Sequence, residues 1–220
     1  MTASDLLKFA RMHMNAGRSQ KRQKVLSSKS VKAMLRKQIG VQKLTQSAIT
    51  GWGLGWFLMD WDGQKLYGHD GGTIGQFSFL RILPEKNMAV AILTNGGDAK
   101  ALSEDINGKI FQGLAKISEP QSPEPNESLK LSLDQYEGGY SNMGGTLEFS
   151  VQKGGLTVSS RLNGGGSAFS DHCKLAFLDK NAVIMRTGNT QLDRTRFLFS
   201  DSKSGKFQFV ANGLRQHRRD

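Results

Sequence analysis

Cysteine is the scarcest residue in this 220-residue chain. Cys173 stands alone, so no internal disulfide can form and no multi-cysteine zinc site can be assembled. Histidine is almost as sparse. His13, His69, His172 and His217 show no H-x-x-x-H or H-E-x-x-H spacing, and we expect neither a structural metal nor a cofactor. Long apolar runs are missing too: the longest, Met88 to Leu93, falls far short of the roughly 18 residues a membrane span needs. The opening Met1-Thr2-Ala3-Ser4-Asp5 lacks the apolar stretch of a signal peptide, so the expectation is a soluble chain.

Acidic residues are lacking at one end only. Residues 1–50 hold eleven Lys and Arg against a single acid, Asp5, and so carry +10 of the net +11. Such a surplus raises nucleic-acid binding. However, the cations are interrupted by Leu, Met, Val and Ala at helical spacing, and no aromatic residue follows Phe9 there to stack on bases. The sequence favours a solvated helix face, or a face meeting a part of the protein outside these residues.

Ser4 before Leu6, Phe9, Ala10 and His13, with Gly17 beyond, predicts a capped amphipathic helix. Arg18 to Lys24 forms its polar exit loop. Ser27-Ser28 starts a second helix through Val31, Met34, Leu35 and Gln38, ending near Gly40. The period then shortens. Trp52, Leu54, Trp56 and Leu58 alternate as one strand, and Asp62-Gly63 turns into Gln64 to His69. After a glycine-rich turn come strands over Phe77 to Leu83 and Met88 to Leu93. Asp98 caps a last helix, whose Leu102, Ile106, Ile110 and Leu114 offer an apolar stripe to the sheet. The fold class expected for this part is α+β, an antiparallel sheet with flanking helices.

Pro120, Pro123 and Pro125 mark a linker over residues 118–128, separating a domain at 1–117 from one at 129–220. The second domain reads as an all-β small barrel of short strands starting near Tyr136 and Tyr140. Arg215, Arg218 and Arg219 read as a solvated basic end.

The run Tyr67-Gly68-His69-Asp70-Gly71-Gly72-Thr73-Ile74-Gly75-Gln76-Phe77-Ser78, followed by Leu80-Arg81-Ile82-Leu83-Pro84-Glu85 and Met88 to Gly96, carries a resemblance. It is similar to the third motif and following strands of the serine β-lactamase-related family, which includes class C β-lactamases, D-alanyl-D-alanine carboxypeptidases and family VIII esterases. Thr2 to Ala10 and Gly51-Trp52-Gly53-Leu54-Gly55-Trp56 also look like this family, so the likeness covers about residues 1–116. Tyr136-Glu137-Gly138-Gly139-Tyr140 resembles the start of the lipocalin-like accessory barrels that follow such hydrolase domains.

The resemblance implies that His69-Asp70-Gly71 is the Lys/His-x-Gly motif. His69 would face the cleft to tune a proton network or bind a carboxylate, and the Gly72 N–H would be an oxyanion donor. Asp70, Gly71 and Thr73 would line the substrate, a small-molecule or peptide acyl compound of the lactam, ester or D-amino-acid class. It also implies a periplasmic or secreted parent protein. As a bare tripeptide, His-x-Gly is no more than a strand end and a turn.

The family's nucleophile has no counterpart upstream of His69, where neither Ser-x-x-Lys nor Tyr-x-Asn occurs. Ser150 to Lys153 and Ser200 to Lys203 match Ser-x-x-Lys, but with 21 Ser and 18 Lys chance alone gives about 1.7 matches. Both lie in strand-like sequence. Tyr140-Ser141-Asn142 imitates the second motif from the wrong side of His69. The expectation is a C-terminal part of a serine hydrolase, inactive alone, whose incomplete sheet exposes apolar surface and favours self-association. The alternative is a non-catalytic binding or assembly module acting through the barrel.

Overall fold

The computed structural model describes residues 1–41, 48–121, 123–169, 172–189, 192–213 and 215–220. Lys43 of the basic segment and Ser122 of the proline-rich segment lie outside the described residues. The chain forms two compact units, one ending at Gln121 and the other running on to Asp220.

The first unit opens with α1 (Ala3–Met14). Its cap is Thr2, not Ser4. Thr2 Oγ1 accepts from the Asp5 N–H at 3.2 Å, and the Asp5 carboxylate accepts from the Thr2 N–H at 3.1 Å. That reciprocal pair needs an acid three residues after the cap, which Thr2 has and Ser4, followed by Leu7, does not. Helix α2 (Ser28–Leu35) is capped by Ser27, and it stops at Arg36, short of the expected Gly40.

Six antiparallel strands follow in chain order: β1 (Ile39–Gly40), β2 (Ile49–Trp52), β3 (Phe57–Trp61), β4 (Gln64–Thr73), β5 (Gln76–Leu83) and β6 (Met88–Thr94). The Trp52 to Leu58 alternation, expected as one strand, is two strands with a turn between them. Gly53 decides this. A Cβ there would sit 2.1 Å from the Met34 carbonyl oxygen, so only glycine lets the turn close against the end of α2. The turn at Asp62-Gly63 has φ of 49° and 81°, the double left-handed geometry of a tight hairpin. Gly71 and Gly72, expected in a turn, continue β4 instead, and the chain reverses at Ile74-Gly75.

Helix α3 (Ala99–Ala115) starts at Asp98, whose carboxylate accepts from the Ala101 N–H at 3.0 Å. Its buried row is Ala99, Ser103, Asn107, Phe111 and Ala115, one residue along from the expected stripe. Ile106 and Ile110 still touch the core, whereas Leu102 and Leu114 are 46% and 74% exposed. Burial of the polar pair is possible because Asn107 donates to Ser103 Oγ at 3.1 Å. Phe111 meets Trp61 edge-on at 5.0 Å, with Met59, Leu66, Leu83 and Ile117 completing this core. On the other face of the sheet Trp56, Tyr67, Leu80 and Ile82 pack with Ala10, Met14 and Met34 of the two N-terminal helices.

The second unit is a closed barrel of eight strands: β7 (Gly138–Asn142), β8 (Gly145–Gln152), β9 (Gly155–Leu162), β10 (Cys173–Phe177), β11 (Ala182–Met185), β12 (Arg196–Lys203), β13 (Lys206–Asn212) and β14 (Arg215–Arg219). The expected basic end is thus a strand. Arg218 pairs with Ser141 and Arg219 with Tyr140, closing the ring. Arg219 is far from solvated: its guanidinium donates to the Glu137 carbonyl at 2.7 Å and to the Tyr140 hydroxyl at 2.5 Å, and lies 4.7 Å from the Tyr140 ring centre. Burial is tolerable because carbonyls, a hydroxyl and a ring face answer its donors. The interior is filled by rings, with Phe199 5.0 Å from Tyr136, 5.0 Å from Phe149 and 5.4 Å from Phe207.

Candidate functional site

Strand β4 outruns its neighbour. Its pairing with β3 begins at Phe57 with Gly68, whereas its pairing with β5 continues to Thr73 with Gln76. Among the described residues, no strand pairs with 69–73 on the β3 side. Thr73 and Gln76 flank a two-residue turn, so they form the hydrogen-bonded closing pair. By alternation, the backbone groups of His69, Gly71 and Thr73 turn to β5, and those of Asp70 and Gly72 turn to the open edge.

The backbone of this region is held closely. A Cβ on Gly68 would lie 2.0 Å from the Leu80 carbonyl oxygen, so a side chain there would force β4 away from β5. The next residue, His69, is exposed at the end of β3. Its ring stacks on Phe57 at 4.4 Å and meets the edge of Trp52 at 5.8 Å. Its Nδ1 lies 2.5 Å from the Asp70 carbonyl oxygen. A carbonyl only accepts, so Nδ1 is the donor here and Nε2 is the ring nitrogen turned to other partners.

Beside His69 and Gly71 lies a groove of about 250 Å³, lined also by Leu6, Phe9, Met34, Trp56 and Leu80. Beneath it Trp56 stacks on Phe9 at 5.7 Å and meets Tyr67 edge-on at 5.1 Å and His13 at 5.0 Å. Burial pushes the Tyr67 hydroxyl up to about 12 and lowers the His13 imidazole.

The side chain of Asp70 is committed elsewhere. Arg81 grips it with both terminal nitrogens, at 2.5 and 3.2 Å, and also donates to the Leu80 carbonyl at 3.1 Å. The Arg81 side chain is 9% exposed and that of Asp70 36%. Half-buried Glu119 belongs to the same electrostatic group: burial raises its carboxyl pKa, against the pull of Arg81. Thr73 is exposed at the strand end and Ile74 projects fully into solvent.

Sequence reasoning named His69, Asp70, Gly71, Gly72 and Thr73, all of which lie on this one strand. It missed Arg81 and Phe57. The signal for Arg81 was present: in Phe79-Leu80-Arg81-Ile82-Leu83 a cation sits between Phe79 and Leu83 on the core side, where only a paired charge is tolerated. The remaining motif-like residues lie in the barrel. Ser150 and Ser200 are on β8 and β12 and not at helix starts, and Tyr140 is buried beneath Arg219.

The Beta-lactamase family model matches residues 1–114. Penicillin-binding protein 4 of Amycolatopsis lactamdurans is 38% identical over 147 residues, which is 66% of this chain and 38% of that protein. Crystal structures of SurE, alone and with D-Leu, superpose on 99% of this chain with a TM-score of 0.71 and 22% identity, a likeness of fold that includes both sheet and barrel. The chain spans 48% of the first of those structures and 49% of the one with D-Leu, and so half or less of each relative's length.

Proposed function

Since this chain belongs to the Beta-lactamase family, a family of serine hydrolases, we propose that the open edge of β4 is one wall of an acyl-transfer cleft whose nucleophile lies in polypeptide outside these 220 residues. The observation that carries this reading is the run of strand past its last β3 partner, which leaves Gly72 with an N–H directed at an unoccupied edge beside His69. An N–H held rigidly where negative charge develops on a carbonyl oxygen lowers the barrier by about 3 kcal/mol. Gly71 and Gly72 add no side chain that would keep a substrate from the strand. His69 Nε2 is the group suited to the proton network or to a substrate carboxylate. Asp70 contributes through its backbone, because its carboxylate is bound to Arg81. Thr73 ends the substrate-facing edge.

The missing parts are a serine with a lysine or tyrosine to take its proton, which must meet His69 and Gly72 in one cleft. The chain alone is therefore inactive in this reading, and the apolar groove and exposed Phe9 and Phe77 favour association with the segment that completes it. The test is acylation. Fluorescent penicillin, nitrocefin and p-nitrophenyl esters should give neither label nor turnover with the chain alone. Co-expression with a family segment bearing Ser-x-x-Lys and Tyr-x-Asn should restore both, and Gly72→Pro, which removes the N–H, should abolish them. Turnover by the isolated chain, with an acyl group mapped to one of its own serines, would overturn the proposal.

A further inference from the structure

Between Asp5 and Asp60 the chain has no acidic residue, while eleven Lys and Arg fall in that interval. Ten of them are described, and each is exposed. Among the described residues, only Lys8 of the ten meets a carboxylate, that of Asp5 at 3.2 Å.

Four of these cations share a small folded loop. Arg18 bridges to Lys24, the Ser19 N–H donates to the Gln23 carbonyl at 2.9 Å, and the Arg22 N–H donates to the Ser19 carbonyl at 2.8 Å. The Arg18 guanidinium also donates to the Arg22 carbonyl at 3.1 Å, which fixes both arginines at the rim of an open depression of about 540 Å³. Lys21 lies in the same loop. Like charges held at this range repel one another and stabilise nothing within the fold. The loop leads directly into α2. There Val31 is buried, Lys29 and Lys32 lie on the exposed side of the helix, and exposed Arg36 follows at its C-cap, prolonging the basic surface.

Two apolar residues flank this stretch in the open, Val25 at 58% exposure and Ile39 at 65%. From Phe9 to Trp52 there is no Phe, Tyr or Trp to stack on a base. We propose that the loop over 18–24 and the outer stripe of α2 form a docking surface for an anionic lipid bilayer. The cations meet the headgroup phosphates, and Val25 and Ile39 enter the interfacial layer. A cluster of this size with apolar neighbours matches anionic lipid, whereas single-stranded nucleic acid rewards ring stacking that this surface lacks. No helix in the described residues is long and apolar enough to cross a membrane. The proposal does not depend on the acyl-transfer reading.

Co-sedimentation of the full chain tests it, using vesicles of phosphatidylglycerol with phosphatidylcholine against phosphatidylcholine alone. We expect binding to the first only, with release at about 0.5 M salt, where screening is nearly complete within a few ångströms. The triple variant K21E/R22E/K24E should weaken binding by about 100-fold or more, since each cation near the surface contributes about a fivefold factor. K29E/K32E/R36E should do the same from α2, and V25S should lower affinity a few-fold at every salt concentration; circular dichroism checks that each stays folded. Equal binding to neutral vesicles, no binding to anionic ones, unchanged affinity in folded triple variants, or tighter binding to duplex DNA than to vesicles would each overturn the proposal.

Discussion

The six-stranded sheet and the barrel are built alike, from consecutive antiparallel strands, yet they treat their margins differently. The barrel joins its first strand to its last and turns an arginine inward onto carbonyls and a phenol. The sheet extends one strand past its neighbour and sets a histidine at the step. Unpaired strand edge is a liability that folds usually cover. In the proposed acyl-transfer reading, the stretch beside the groove and the exposed imidazole is where a substrate adds on. One unit pairs its first strand with its last, and the other leaves part of one strand edge open.

The contrast can be broken most forcefully in the barrel. Phe199→Ala removes the ring around which Tyr136, Phe149 and Phe207 gather, and should cost about 3 to 5 kcal/mol. All three tryptophans lie in the sheet unit, so their fluorescence follows that unit alone, while hydrogen exchange in β7 to β14 follows the barrel. The substitution should raise exchange throughout the barrel.

In the sheet, Arg81→Met leaves the Asp70 carboxylate without its partner and should cost about 3 kcal/mol, the low end for a broken pair because Asp70 reaches solvent. Denaturant midpoints read by tryptophan fluorescence check this. Adding Asp70→Asn should recover part of the loss, since the pair acts as a unit.

Acid affects both units through one buried imidazole each. Burial is the main cause that lowers both His13 and His217; a hydrogen-bonded backbone carbonyl opposes it in each case, and Arg215 adds to the lowering at His217. The unfolded chain therefore takes up a proton that the folded one resists. Stability is complete above the ordinary imidazole value and declines as the pH falls through it towards the lowered one. His13→Gln should flatten this decline in the tryptophan signal and leave it in the barrel.

The smallest effect concerns α3. Leu114→Ala should stay within about 0.5 kcal/mol, because Leu114 is 74% exposed, whereas Phe111→Ala should approach the barrel value.

Much of this architecture was legible in the sequence where local chemistry decides it. Asp62-Gly63 dictates its hairpin, Asp98 its helix start, and the change of period after the proline-rich segment announces the barrel. What escaped is decided by partners distant in sequence. A four-residue repeat drifts about 40° per step around a helix, so Leu102 and Leu114 point about 120° apart, and with Ile106 and Ile110 against the core both outer leucines are left exposed. Arg-Gln-His-Arg-Arg has no strand-like appearance, because most of the oxygens that receive the half-buried Arg219 are contributed from 79 or more residues away. The candidate site was readable as a motif on one strand. Its depth was not, since the clamp on Asp70 comes from the next strand.

Every pairing in the sheet, and all but one in the barrel, joins strands that are neighbours along the chain. Such hairpins zip locally and quickly. The exception is the seam between β14 and β7, where Arg219 must find Tyr140 across 79 residues. Loop-closure entropy is concentrated there. The seam should therefore be the last contact the barrel makes on folding, and hydrogen-exchange labelling during refolding should show β14 and β7 protected after the hairpins.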